Sequence, residues 1–112
     1  MNIPFTLIDW SQISKAEKNG KSGNVAQQVA EYPGLKIRVV EYSSGYMADH
    51  WCQKGHIVHC LEGNFESEME SGEKFQLSKG MTYIVSDDMS SHRSNTESGT
   101  KLLIIDGDFL AD

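Results

Sequence analysis

A chain of 112 residues can bury one core and has no room for a second. Hydrophobic content of 38%, with two tryptophans, four phenylalanines and four tyrosines, is that of a globular protein and excludes a disordered chain. The net charge of −6 and the scattered positive residues (Lys15, Lys36, Lys54 and Lys101 stand singly) exclude a phosphate-backbone partner, so no nucleic-acid role is expected.

The start, Met-Asn-Ile-Pro-Phe, has no basic segment followed by an apolar one, and no run approaches the roughly eighteen apolar residues of a membrane span. A cytoplasmic protein with no membrane partner is expected. There Cys52 and Cys60 stay reduced, a disulfide between them being the alternative. Pro4 to Trp10 reads as extended, with Phe5, Leu7 and Ile8 facing inward. Ser11 or Ser14 is placed to cap a short helical turn running through Lys18. The stretch from Lys18 to Asn24 is turn-rich and reads as a loop.

Strands dominate from there. Val25 to Tyr32 alternates, Pro33-Gly34 is a turn, and Leu35 to Tyr42 sets Leu35, Ile37 and Val39 against Lys36 and Arg38. Further strands are expected at Tyr46–Cys52, His56–Glu62, Phe65–Ser71, Glu73–Leu77, Thr82–Val85, Ser91–Thr96 and Lys101–Phe109. Glu62-Gly63-Asn64 and Ser71-Gly72 read as hairpin connections. Eight to ten short strands without a helical period or repeat predict an all-β sandwich or barrel. We expect one domain over 1–112, with N-terminal strands and a loop in 1–34 and the core in 35–112.

All four histidines are informative: 50, 56, 59 and 92. If Ala48 to Cys52 is extended, His50 and Cys52 project from one face, and Gly55 turns the chain so that His56 opens the next strand beside them. His92 arrives from a remote strand. Unpaired polar groups in a small β interior are costly, and one metal ion would satisfy all of them. His50, Cys52, His56 and His92 are therefore the candidate metal ligands. Imidazole and thiolate disfavour magnesium and calcium and point to one divalent transition metal: zinc, iron, nickel, copper or manganese. With Cys52 ligating beside three imidazoles the shell is closed. Without it, three histidines leave open positions.

His59 falls on the other strand face and reads as a packing residue, and Cys60 as part of the apolar floor. Asp49 points away from the ligands by the same count. No Ser-His-Asp order, phosphate loop or Cys-x-x-Cys pair is present, which leaves hydrolysis by a nucleophile and nucleotide binding without support. Beyond the ligands, the inward acid or base candidates are Tyr46 and Tyr83.

These residues resemble the cupins. The first cupin motif, Gly, a spacer, His-x-His, three or four residues, Glu, six residues, Gly, is matched by Gly45, His50, Cys52, His56 and Gly63. Cys52 stands where the second histidine is usual, His56 stands at the glutamate, and the spacer after Gly45 is one residue short. Of the second motif Gly80 and His92 fit, with Asn95 nearby. Ser86 and Asp88 replace its proline and glycine, and the spacing to His92 is one residue longer. The resemblance covers residues 36–109 and is nearest to small single-domain cupins with an Asp-His-Trp-Cys signature, here Asp49 to Cys52.

The resemblance implies a cupin-type conical antiparallel β-barrel, a double-stranded β-helix or jelly roll. It also implies a metal at the wide end and pairing into a homodimer. Cupins include dioxygenases, sugar isomerases, epimerases, decarboxylases and proteins that only bind. The expected function is thus a metal-dependent enzyme, such as an oxygenase or isomerase, acting on a small polar molecule in the barrel mouth. The alternative is a metal-containing binding or sensing module without turnover.

Overall fold

A computed structural model describes residues 2–111 and is all-β. Its strands are β1 (Ala16–Asn19), β2 (Asn24–Tyr32), β3 (Leu35–Tyr42), β4 (His56–Met69), β5 (Lys74–Ser78), β6 (Thr82–Val85), β7 (His92–Asn95) and β8 (Thr100–Gly107). The pairings among these strands are antiparallel. The order runs β1-β2-β3-β8-β4-β5, with β6 and β7 also paired to β4. This is an antiparallel jelly-roll barrel.

The fourteen-residue β4 organises the barrel. Its first half pairs with β8 and β6, and its second half with β5 and β7. The strand changes sheet at a bulge between Cys60 and Glu62. Gly63 follows at φ 76°, and a Cβ there would lie 2.4 Å from the Gly99 carbonyl oxygen. Only glycine fits this left-handed, crowded corner. The expected hairpin at Glu62-Gly63-Asn64 is therefore a bend within one strand. A hairpin turn and a bulge of this kind both call for a left-handed glycine, so their local signals coincide.

Registers lay the core out in rows across strands. Val40, Leu102 and Cys60 face one another on β3, β8 and β4, and Arg38, Ile104, Val58 and Tyr83 form the next row through β6. Val40, Val58, Cys60, Phe65 and Leu102 are the best-buried side chains. Each large apolar side chain so enclosed contributes roughly 1.5–3 kcal/mol.

Two expectations near the amino terminus do not hold. Phe5 and Leu7 are almost fully exposed rather than turned inward. The short helical turn lies earlier, at Trp10–Gln12, capped by Asp9 rather than by a serine. Lys18 then belongs to β1, which docks on β2. The expected strand Tyr46–Cys52 is an irregular segment joined to its neighbours by isolated bridges, of Met47 with Ser22 and Asn95 and of Cys52 with His92.

Candidate metal centre

The segment between β3 and β4 crosses one end of the barrel, and each donor has its own local support. The Cys52 N–H donates to the His92 carbonyl at 2.7 Å and the His92 N–H to the Cys52 carbonyl at 2.9 Å, which locks these two side by side. His56 opens β4. Just before it, Gly55 lies so close to the backbone of Val85 to Asp87 that a Cβ would fall within 2.7 Å of it. The Gly55 N–H also donates to Asp87 Oδ1 at 2.6 Å. A side chain at this position would push His56 away.

Cys52, His56 and His92 bring their ligand atoms within 4.8 Å of one another. Cys52 Sγ is 3.5 Å from His56 Nε2, and the two imidazoles meet edge to face at 5.5 Å. Both histidines are buried and Cys52 is half-buried. His50 stands outside this group: Asp49 and His50 form a bend, the imidazole is three-quarters exposed, and its Nδ1 is 2.7 Å from Asp49 Oδ1. The period-two argument needs an extended Ala48–Cys52, and the bend removes that condition. His59 faces outward to Thr82, and Cys60 is fully buried in the core. Neither cysteine is in a disulfide.

The rings are held from behind. His56 Nδ1 bonds to Asp106 Oδ1, and His92 Nδ1 to the Ser90 hydroxyl at 2.8 Å. Each imidazole is thereby oriented through Nδ1 and keeps Nε2 for the centre, as ligating histidines commonly are. Asp106 is itself anchored by Arg38, whose guanidinium lies 3.3 Å from Oδ2. Asp106 follows Leu102 and Ile104 on the inward face of β8, and the pairing of Ile57 with Ile105 sets it beside His56.

The electrostatics follow from this chain of contacts. Hydrogen bonding to His56, then to His92, draws the Cys52 thiol down to about 5, so its sulfur is a thiolate at neutral pH. Burial pushes His56 down, but Asp106 and Cys52 together outweigh it and leave the imidazole raised. Burial likewise pushes Asp106 up, and its bond to His56 wins, leaving the carboxyl lowered. One thiolate and two oriented imidazoles are a fitting donor set for a borderline-soft divalent metal and leave a position open.

The centre looks into a cavity of about 150 Å³ inside the barrel, with Gln27, Arg38, Tyr42, Tyr46 and Tyr83 on its walls and His50 among its lining residues. Burial raises all three tyrosines, Tyr42 to about 12, so each stays a protonated donor. Sequence reasoning missed Arg38 and Asp106. Period-two counting along Leu102, Ile104 and Asp106 was the available signal for the second; a lone arginine in an apolar strand reads as solvated.

No family model matches the chain, and no curated protein matches it. The fold has close counterparts among solved structures. Ectoine synthase from P. lautus superimposes with a TM-score of 0.74 at 16% identity, over 92% of this chain and 78% of that one. A predicted oxalate decarboxylase from Thermotoga maritima gives 0.76 at 12% identity, over 91% and 99%. A cupin-like protein from the same species gives 0.69 at 15% identity, over 85% and 83%. At these identities the likeness is one of fold, and the fold is that of the cupins.

Proposed function

We propose that this protein is a metal-dependent cupin enzyme acting on a small polar molecule in the barrel mouth, with one divalent transition metal held by Cys52, His56 and His92. The convergence of these three donors at the end of a polar-walled cavity carries the reading. Three protein ligands with a position left over is the pattern of catalytic rather than structural sites. Among zinc, iron, nickel, copper and manganese, the thiolate favours zinc, because a redox-active ion beside it would invite oxidation of the sulfur. When bound, the metal supplies Lewis acidity at its open position. Around it Tyr83 and Tyr46 hold protons for developing oxyanions, and Asp106 and Ser90 fix the imidazoles. This set suits an isomerase-type reaction better than an oxygenase. Two fold neighbours are a synthase and a predicted decarboxylase, which favours turnover over a module that only binds. A reducing cytoplasm and a homodimer complete the proposal.

Elemental analysis tests it. Wild type and His50→Ala should carry about one metal per chain, whereas Cys52→Ser, His56→Ala and His92→Ala should each lose at least about tenfold in affinity. Equal metal content in all five proteins would sink the assignment.

One observation favours a second reading. Asp106, His56 and Cys52 lie in line, the order of orienting acid, base and nucleophile in thiol catalysis. Iodoacetamide separates the two. In chelated protein Cys52 should alkylate with a midpoint near pH 5, from its depressed thiol. Restored metal should shield it if the sulfur is a donor. A Cys52 that reacts equally in both forms supports the nucleophile instead.

A further inference from the structure

Arg38 is unusual in its surroundings. It sits on β3 in the row of Ile104, Val58 and Tyr83, and its side chain is four-fifths buried against the cavity. One guanidinium nitrogen pairs with Asp106 Oδ2 at 3.3 Å, while Nε is buried with no hydrogen-bond partner. Leaving a charged donor unpaired away from water is expensive, so such a group calls for an acceptor. Asp106 cannot be that acceptor alone, since its other oxygen is taken by His56.

Apart from the Cys52 thiolate, the charge of the wall is one-sided. In a chain of net charge −6, the cavity is lined by Lys18, Arg38 and Arg93 and by no aspartate or glutamate. Arg93 is already spoken for: it bonds Glu68 at 2.7 Å and stacks on Trp51 at 4.3 Å. Lys18 is exposed to solvent, so Arg38 is the buried cation of this wall, its charge met by Asp106 at one nitrogen and its Nε left without an acceptor. The stacked Tyr42 and Tyr46 beside it, 4.2 Å apart, add hydroxyl donors.

We propose that the cavity takes a small hydroxy or oxo acid whose carboxylate is held by Arg38 Nε, with its second oxygen turned towards Cys52, His56 and His92. This rests on the reading of the cavity as the substrate site of a metal centre. The size agrees: about 150 Å³ accommodates on the order of six to eight non-hydrogen atoms. The planar Nε–H and N–H edge of a guanidinium matches a carboxylate. A phosphate dianion would call for a second buried cation, and Lys18 is exposed. Arg38 acts here as a binding and specificity residue.

Calorimetric titration of zinc-loaded protein with lactate and pyruvate tests the assignment, with lactamide and inorganic phosphate as controls. Wild type should bind both acids. Arg38→Gln should bind them at least tenfold more weakly, Arg38→Lys should fall between, and lactamide should not bind. If Arg38→Gln fails to fold, ¹⁵N spectra of wild type serve instead: lactate should shift the Arg38 Nε–H resonance. Lactamide or phosphate binding as tightly as lactate, Arg38→Gln titrating like wild type, an unmoved Nε–H resonance, or no binding of either acid would each overturn the proposal. Metal content is measured on the same samples. A wild type without metal would remove the metal reading, while the Nε–H shift would still decide the role of Arg38.

Discussion

Asp106 ties the candidate metal centre to the rest of the barrel, because it neutralises His56 with one oxygen and Arg38 with the other. Its folded value is lowered from the ordinary 3.8, so its stabilising contribution is present above that pH and is lost as pH falls through the lower folded value. His56 is raised from the ordinary 6.5, so its contribution is complete below 6.5 and is lost as pH rises through the raised value. The two overlap between about pH 4 and 6.5. In metal-free protein Asp106→Asn should cost about 2–3 kcal/mol at pH 5.5 and less at pH 9, where His56 no longer needs a counter-charge. Urea unfolding at both pH values checks this, and an equal loss at both would contradict it. The grouping of Cys52, His56 and His92 was legible at this scale from residue type and spacing. The bend at Asp49 and His50 was not, because nothing in the residues of Ala48–Cys52 distinguishes a strand from a bridged loop. Nor was Arg38, whose polarity argues for the outer face until Asp106 supplies an inward partner.

Strand β4 shows why element type is easier to read than continuity. His56, Val58 and Cys60 face inward on even numbers, and Phe65 and Ser67 on odd ones, the parity changing at the Cys60–Glu62 bulge. The two alternating runs were legible, while the extra residue that joins them reads locally as a turn. Other bounds followed more directly from alternation and turn residues: Leu35–Tyr42 and Thr82–Val85 coincide with β3 and β6. The weight placed on the corner gives a prediction. Gly63→Ala should destabilise the barrel by at least about 2 kcal/mol, from the left-handed backbone and the approach to the Gly99 carbonyl. Chemical denaturation reads this out, and a change below about 0.5 kcal/mol would mean that the corner relaxes freely.

Taken as a whole, the barrel has two faces of opposite use. Inside, rows of side chains end at the cavity. Outside, the same registers align Ile37, Ile105, Ile57 and Ile84 across β3, β8, β4 and β6. Ile84 is 69% exposed, and Phe109 is also largely uncovered. An apolar outer row of this kind favours association with a like surface. Light scattering at micromolar concentration should therefore give about 25 kDa, twice the 12.5 kDa chain, and Ile84→Glu should give the single-chain mass. A wild type already at the single-chain mass would exclude the homodimer.

Cys52, His56 and His92 belong to three separate stretches of chain: the irregular segment before β4, the first residue of β4 and the first residue of β7. Without metal, the first stretch is held to its neighbours by a few backbone bonds, such as the Ala48 N–H to Ser94 and the Cys52 N–H to His92. A metal adds a cross-link at that spot and none to the β3–β8 ladder. Chelation should thus speed hydrogen exchange at the Ala48 and Cys52 amides while Val40 and Leu102 stay protected. Uniform acceleration would show instead that the whole barrel loosens. Under the proposed assignment, metal occupancy would therefore set how firmly the segment before β4 is held at the cavity.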